Sequence, residues 1–128
     1  MRILIVEDQE YRIKQFIFNL IGCVVDVVKT SQEAIDLLAA TKYDCLLLDH
    51  DLEGPVYYPS GPRTGYEVAQ WLAQNTDKQP TVVITHSQNP VGAENICRAL
   101  PKAMAFPHCW ELNALKEILE VIVEERKK

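Results

Sequence analysis

The chain has 128 residues, 48% of them hydrophobic and 24% charged, which fits one globular domain with its own core and excludes a disordered chain or a two-domain protein. A formal net charge of -5 excludes a surface built to neutralise nucleic-acid phosphates, because such binding draws its affinity from clustered lysine and arginine. Cys23, Cys45, Cys97 and Cys109 are too scattered for a metal or redox motif and read as reduced thiols, and the one basic cluster, Arg126 to Lys128, reads as a solvated helix end.

The opening MRILIVEDQ holds only a four-residue apolar run before two acids, so it predicts a buried strand at Ile3 to Val6, neither signal peptide nor membrane span, and a cytoplasmic protein. Tyr11, Ile13, Phe16, Ile17 and Leu20 recur at helical spacing, with Gly22 as the expected C-terminal cap. Cys23 to Val28 is the second strand. In TSQE, Thr30 and Glu33 predict a capping box that opens a second helix with Ile35, Leu37 and Leu38 buried. Cys45 to Leu48 is the third strand. The stretch Glu53 to Thr64 carries three prolines and two glycines and predicts a long loop. A third helix is expected from Tyr66 to about Gln74, with Val68, Ala69, Trp71 and Leu72 inside. Thr81 to Thr85 is the fourth strand, and Asn89-Pro90 predicts an N-cap and first position for a fourth helix through Ala99. A weaker strand spans Ala103 to Phe106, and Glu111 to about Glu125 reads as the last helix. Short apolar runs alternating with helices make this an α/β chain, a single doubly wound (βα)5 domain over residues 1–128 with three layers and a parallel five-stranded sheet. Its ligand site belongs at the carboxyl ends of the strands.

Those ends carry the chemistry: Glu7 and Asp8 after the first strand, Asp49, His50 and Asp51 after the third, and Thr85, His86 and Ser87 at the fourth. Converging carboxylates repel one another unless a cation sits among them, and an all-oxygen set suits Mg²⁺ or Mn²⁺. The strings ILIVED, YDCLLLD, Gly65 opening a helix, PTVVIT and a proline after the fifth strand resemble the two-component receiver domain across nearly the whole chain. The resemblance implies a flavodoxin-like strand order 2-1-3-4-5. It also implies Glu7 and Asp8 as metal ligands with Asp49 and Asp51, Asp49 as the acceptor of a phosphoryl group, and Thr85 as the hydroxyl that senses it. The phosphoryl donor would be a histidine kinase or phosphotransfer protein, and pairing through the last helices would give a homodimer.

Three features depart from that pattern. Receivers carry a lysine just before the proline that follows the fifth strand, whereas Phe106 precedes Pro107 here; Lys102 lies four residues earlier and reads as a solvated loop charge. Asp49 and Gly65 are sixteen residues apart, a longer stretch than receivers have there, which places Tyr57, Tyr58 and Arg63 over the pocket as a clamp for a phosphorylated ligand. His50 and His86 add two titratable groups that can serve as acid and base. The strings LDHDL and HSQNPVG resemble an atypical receiver subgroup that processes cyclic phosphates. Ser87 and Asn89 read as helix caps, His108 has no assigned role, and Trp71 and Trp110 read as core or surface residues. Three readings follow: a stand-alone receiver in a phosphorelay, output passing through protein partners and not DNA; a metal-assisted hydrolase of cyclic phosphates; and a pseudo-receiver that only binds a protein. Intact acids and added histidines weigh against the third.

Overall fold

The near-continuous apolar runs at the strand positions become a sheet buried on both faces, as parallel strands with helical crossovers require. The computed structural model describes residues 1–52 and 59–128; Tyr57 and Tyr58 lie outside the described residues. The strands are β1 (Arg2–Val6), β2 (Val24–Val28), β3 (Cys45–Leu48), β4 (Val82–Thr85) and β5 (Met104–Ala105). The helices are α1 (Glu10–Asn19), α2 (Ser31–Ala40), α3 (Gly65–Gln74), α4 (Pro90–Ala99) and α5 (Leu115–Lys127). All strand pairs are parallel, and the order is β2-β1-β3-β4-β5, the flavodoxin-like arrangement expected from the sequence.

Two apolar layers flank the sheet. On one side Leu4, Val6, Leu46, Leu48 and Val83 pack against Ala34 and Leu38 of α2, Val68 and Leu72 of α3 and Ile96 of α4. On the other, Ile3, Ile5, Leu47 and Ile84 pack against Phe16 and Leu20 of α1, Trp110, and Leu115, Leu119 and Val123 of α5. Among the described residues no helix is long and apolar enough to cross a membrane.

Local chemistry explains where the elements begin and where they depart from expectation. Thr30 caps α2 by accepting the Glu33 backbone N–H at 3.1 Å, but the reciprocal half of the box differs. The Glu33 carboxylate accepts from the Thr30 hydroxyl at 2.9 Å and from the Lys29 N–H at 3.4 Å. Asn89 caps α4 through the Gly92 N–H at 3.0 Å, with Pro90 in the first turn as predicted. The C-cap of α1 is Leu20; Gly22, at φ +97°, supplies the left-handed residue of the turn beyond it.

The last helix starts at Leu115 and not at Glu111. His108 turns left-handed at φ 61°, Cys109–Glu111 form a short 3-10 turn that sinks Trp110 to 2% exposure, and Asn19 Nδ2 donates to the Trp110 carbonyl at 2.6 Å. Burying that indole takes precedence over continuing the helix. Lys102 is also not the solvated charge expected. It is half-buried, its ammonium donates to the Pro80 carbonyl, and burial holds its pKa below the usual value. All four cysteines are free thiols, with burial pushing Cys45 and Cys109 up to about 12.

Candidate active and metal site

Strand register builds the site. Val6 lies beside Leu48 and Leu48 beside Thr85, so the residues one step further, Glu7, Asp49 and His86, emerge side by side at the carboxyl edge. Side chains alternate along a strand, so these three share the face of Ile5, Leu47 and Ile84, toward α1 and α5. One ligand atom from each lies within 4.8 Å of the others, and all three side chains are buried. His86 Nε2 is 2.9 Å from Glu7 Oε1, and its ring packs edge-on against Phe16 and Trp110 at centroid distances of 4.9 Å and 5.8 Å.

Arg12 supplies the charge balance. Its Nη1 lies 3.5 Å from Glu7 Oε1 and 3.6 Å from Asp49 Oδ2, its Nη2 donates to Gln88 Oε1 at 2.9 Å, and its guanidinium stacks on the Trp110 ring at 4.5 Å. Neither contact to the carboxylates reaches the 2.7–2.9 Å of a tight charge-assisted bond. Stacking and Gln88 therefore fix the guanidinium, and its donors toward the pocket remain available to an anion.

The two carboxylates separate in proton affinity. Burial raises the Asp49 pKa most, the neighbouring Glu7 charge raises it further, and together they outweigh Arg12 and the His50 N–H, so it reaches about 8. Burial also acts upward on Glu7. There the hydrogen bond and charge of His86, the Gln9 N–H and Arg12 prevail and bring it below the usual range. Burial lowers the His86 pKa against the pull of Glu7. The neutral imidazole thus donates Nε2–H to an ionised Glu7, while Nδ1 is buried with no hydrogen-bond partner among the described residues. Near neutral pH these shifts favour an ionised Glu7 and a protonated Asp49 beside the Arg12 guanidinium.

The remaining sequence candidates fall around this group. Asp8 is half-buried beside Glu7, whose Oε2 accepts the Asp8 N–H at 3.0 Å. The Thr85 hydroxyl is buried at the end of β4 without a hydrogen-bond partner among the described residues. His50 does not share the pocket of His86. It follows Leu48 onto the α2–α4 side, where its ring is fully buried with Nδ1 2.7 Å from Asp51 Oδ1 and Nε2 2.8 Å from Ser60 Oγ. The Asp51 carboxylate is engaged there, also accepting from Asn89 Nδ2 at 3.2 Å, and is not part of the Glu7, Asp49, His86 group. The strand period of two separates the histidines. His86 directly follows β4 and His50 comes one residue later after β3, so His50 is two residues beyond Leu48 while His86 is two beyond Ile84, and those residues face opposite layers. Gly65 is fixed by close approach, since a Cβ there would lie 2.0 Å from the Asp49 carbonyl oxygen.

Arg12, Trp110 and Ser60 are residues that sequence reasoning missed. Arg12 had a usable signal, because it precedes the buried Phe16 by one helical turn and so lies on the same face, next to the strand ends.

The fold and the strand-end site define a receiver-type domain. The receiver domain of a signal transduction histidine kinase from Syntrophus aciditrophicus is 20% identical, with TM-score 0.72 over 99% of this chain and 92% of that one. The receiver domain of a modulated diguanylate cyclase from Desulfovibrio desulfuricans G20 is 24% identical, with TM-score 0.67 over 98% and 95%. A response regulator receiver domain from Methylobacillus flagellatus is 18% identical, with TM-score 0.70 over 95% and 98%. These likenesses establish the fold. The family follows from the sequence: the profile of the cyclic-phosphate processing receiver domain matches residues 2–102, and the chain belongs to that family. Curated protein sequences give no match.

Proposed function

We propose that this domain opens cyclic phosphate esters by hydrolysis with a divalent cation at Glu7, Asp49 and His86. The observation that carries the reading is the composition of the pocket: an imidazole joins two buried carboxylates, Arg12 faces them, and Phe106 stands where the phosphoryl-pairing lysine of receivers would be. The family description supports the same substrate class.

The donor set fits a metal ion. Two buried carboxylates and a histidine within 4.8 Å supply hard oxygen and borderline nitrogen ligands, a mixture that moves preference from Mg²⁺ toward Mn²⁺ or another first-row ion. Such a cation would acidify a bound water and neutralise phosphoryl oxygens. Glu7, already ionised, is the permanent charge of the set, and to join it Asp49 must lose its proton and His86 must move its own from Nε2 to Nδ1. Arg12 donates to the phosphoryl oxygens from its stacked position on Trp110, and Asp8 sits at the rim. The net reaction adds one water across one ring P–O bond, giving a linear phosphate monoester and a free hydroxyl.

A second reading is a receiver in a phosphorelay, with Asp49 accepting a phosphoryl group from a histidine kinase or phosphotransfer protein. It is favoured by the position of Asp49 at the end of β3 beside β4, whose terminal Thr85 hydroxyl is buried without a hydrogen-bond partner among the described residues. Phe106 weighs against it, because no lysine is available there to pair with the acyl phosphate.

Turnover of 2′,3′-cyclic and 3′,5′-cyclic nucleotides in Mn²⁺, followed by phosphorus NMR, separates the two readings. Ring-opened monoester with a cation-dependent part that is lost in EDTA and in Glu7→Gln supports hydrolysis at the metal pocket. No turnover, together with a stable phosphoryl adduct formed from a small acyl phosphate and absent from Asp49→Asn, supports the receiver.

A further inference from the structure

His50 is a buried imidazole that the metal pocket does not use, and its surroundings are those of a catalytic base. Its Nδ1 is 2.7 Å from Asp51 Oδ1 and its Nε2 is 2.8 Å from Ser60 Oγ. We propose that Ser60, His50 and Asp51 form a serine nucleophile triad, a reactive centre on the α4 side of the sheet distinct from the Glu7, Asp49, His86 pocket.

The proton positions follow from the partners. Asn89 Oδ1 accepts the Gly92 N–H at 3.0 Å, which fixes the amide so that Nδ2 points to Asp51 Oδ1 at 3.2 Å. A carboxylate only accepts, so the His50 proton is on Nδ1 and the Nε2 lone pair faces the Ser60 hydroxyl. Asn95 Nδ2 donates to Ser60 Oγ at 2.9 Å, which leaves the hydroxyl hydrogen to donate to Nε2. Donors and acceptors therefore close into the order carboxylate, imidazole and hydroxyl that activates a serine.

The imidazole has no freedom to leave this arrangement. It is fully buried, and Gly92 packs so closely that a Cβ there would lie 2.4 Å from His50 Cγ. Ser60 is half-buried and opens onto a cavity of about 580 Å³ lined by Pro59, Ser60, Gly61, Pro62 and Arg63. Arg63 is exposed and held left-handed at φ 67°, placing a cation-bearing side chain at the cavity of the nucleophile. A serine nucleophile beside an arginine suits an anionic phosphate ester. That choice of substrate rests on the cyclic-phosphate reading above; the nucleophile itself does not.

The chemistry balances without a further reactant. The Ser60 Oγ–P bond forms as one ring P–O bond breaks, the hydroxyl proton passes to His50 Nε2, and the departing ester oxygen takes it. A water oxygen then bonds to phosphorus as the Oγ–P bond breaks, the water proton passes through His50 to Oγ, and the linear monoester leaves with the serine restored.

A fluorophosphonate probe tests the centre without a substrate: Oγ–P forms, P–F breaks, fluoride leaves and His50 takes the proton. The expected result in EDTA is one adduct by intact mass, mapped to Ser60, absent in Ser60→Ala and formed at least tenfold more slowly in Asp51→Asn. Melting temperatures of both variants show that the fold persists. No adduct, an adduct elsewhere, or equal labelling of Ser60→Ala overturns the triad. Labelling fails with cyclic-phosphate turnover intact if only the triad is wrong, whereas labelling without any turnover counts against the proposed function and leaves the nucleophile standing.

Discussion

Replacing Asp49 by asparagine should stabilise the cation-free protein at alkaline pH and leave it almost unchanged in acid. In the fold its carboxyl titrates near about 8, compared with an ordinary 3.8. Between those values the native state keeps a proton that the unfolded chain has lost. Stability therefore falls as pH rises, by at most about 1.4 kcal/mol per pH unit. Below pH 4 both states are protonated and the effect vanishes; above pH 8 it is complete. The lowered pKa of Glu7 acts only below its ordinary 4.5 and adds no slope over this range; relaxation and water entry around a buried charge reduce the Asp49 effect to a penalty of a few kcal/mol. Asparagine cannot ionise, yet its Oδ1 can still accept the His50 N–H that Asp49 Oδ1 takes at 2.9 Å. For a domain of this length each kcal/mol moves the melting temperature by about 4 °C. Urea titrations of both proteins in EDTA from pH 4.5 to 8.5 are the assay. The reasoning expects the curves to diverge steadily above pH 5, with the variant more stable by roughly 2–4 kcal/mol at pH 8.5. Parallel curves over that range would refute the buried, proton-holding Asp49.

Saturating Mn²⁺ should flatten the pH dependence of the wild-type protein, because a cation beside Asp49 favours its ionised form; thermal melts with and without the ion check this. Arg12→Ala removes a cation from the carboxylates and should tighten Mn²⁺ binding about tenfold by calorimetry while weakening orthophosphate or vanadate binding, and unchanged affinities would remove Arg12 from the pocket chemistry. Mn²⁺ should bind more tightly than Mg²⁺ to the wild-type protein, and His86→Ala should narrow that preference. Gly65→Ala, whose Cβ would meet the Asp49 carbonyl at 2.0 Å, should cost at least about 3 kcal/mol in urea unfolding, whereas Gly61→Ala, with no described residue's atom within 4 Å, should stay within about 1 kcal/mol.

The first four strands were legible because they are mostly apolar runs of four or five residues, whereas the fifth, expected over Ala103 to Phe106, pairs only at Met104–Ala105; the register of Val6, Leu48 and Thr85 makes their successors neighbours. Asn89-Pro90 marked its helix correctly because the cap is a local hydrogen bond. The start of α5 was not legible. Trp110 is drawn inward by Phe16 and Asn19, both distant in sequence, and that tertiary demand breaks a pattern that is periodic on its own. At the site, sequence named the acids and both histidines, but adjacency hid the geometry. His50 follows Asp49 directly, and the strand period sends the two side chains to opposite layers, so one histidine enters the acidic pocket and the other meets Ser60. Arg12 was hidden because one arginine in an amphipathic helix resembles any solvated charge until Trp110 and the carboxylates appear beside it.

The most direct test of the central claim is product analysis of cyclic nucleotides incubated with the purified domain in Mn²⁺, beside an EDTA control and Glu7→Gln. The pocket predicts a linear monoester whose cation-dependent part, the excess over the EDTA control, is lost in the variant. Intact cyclic substrate alongside a stable phosphoryl group on Asp49 would contradict it.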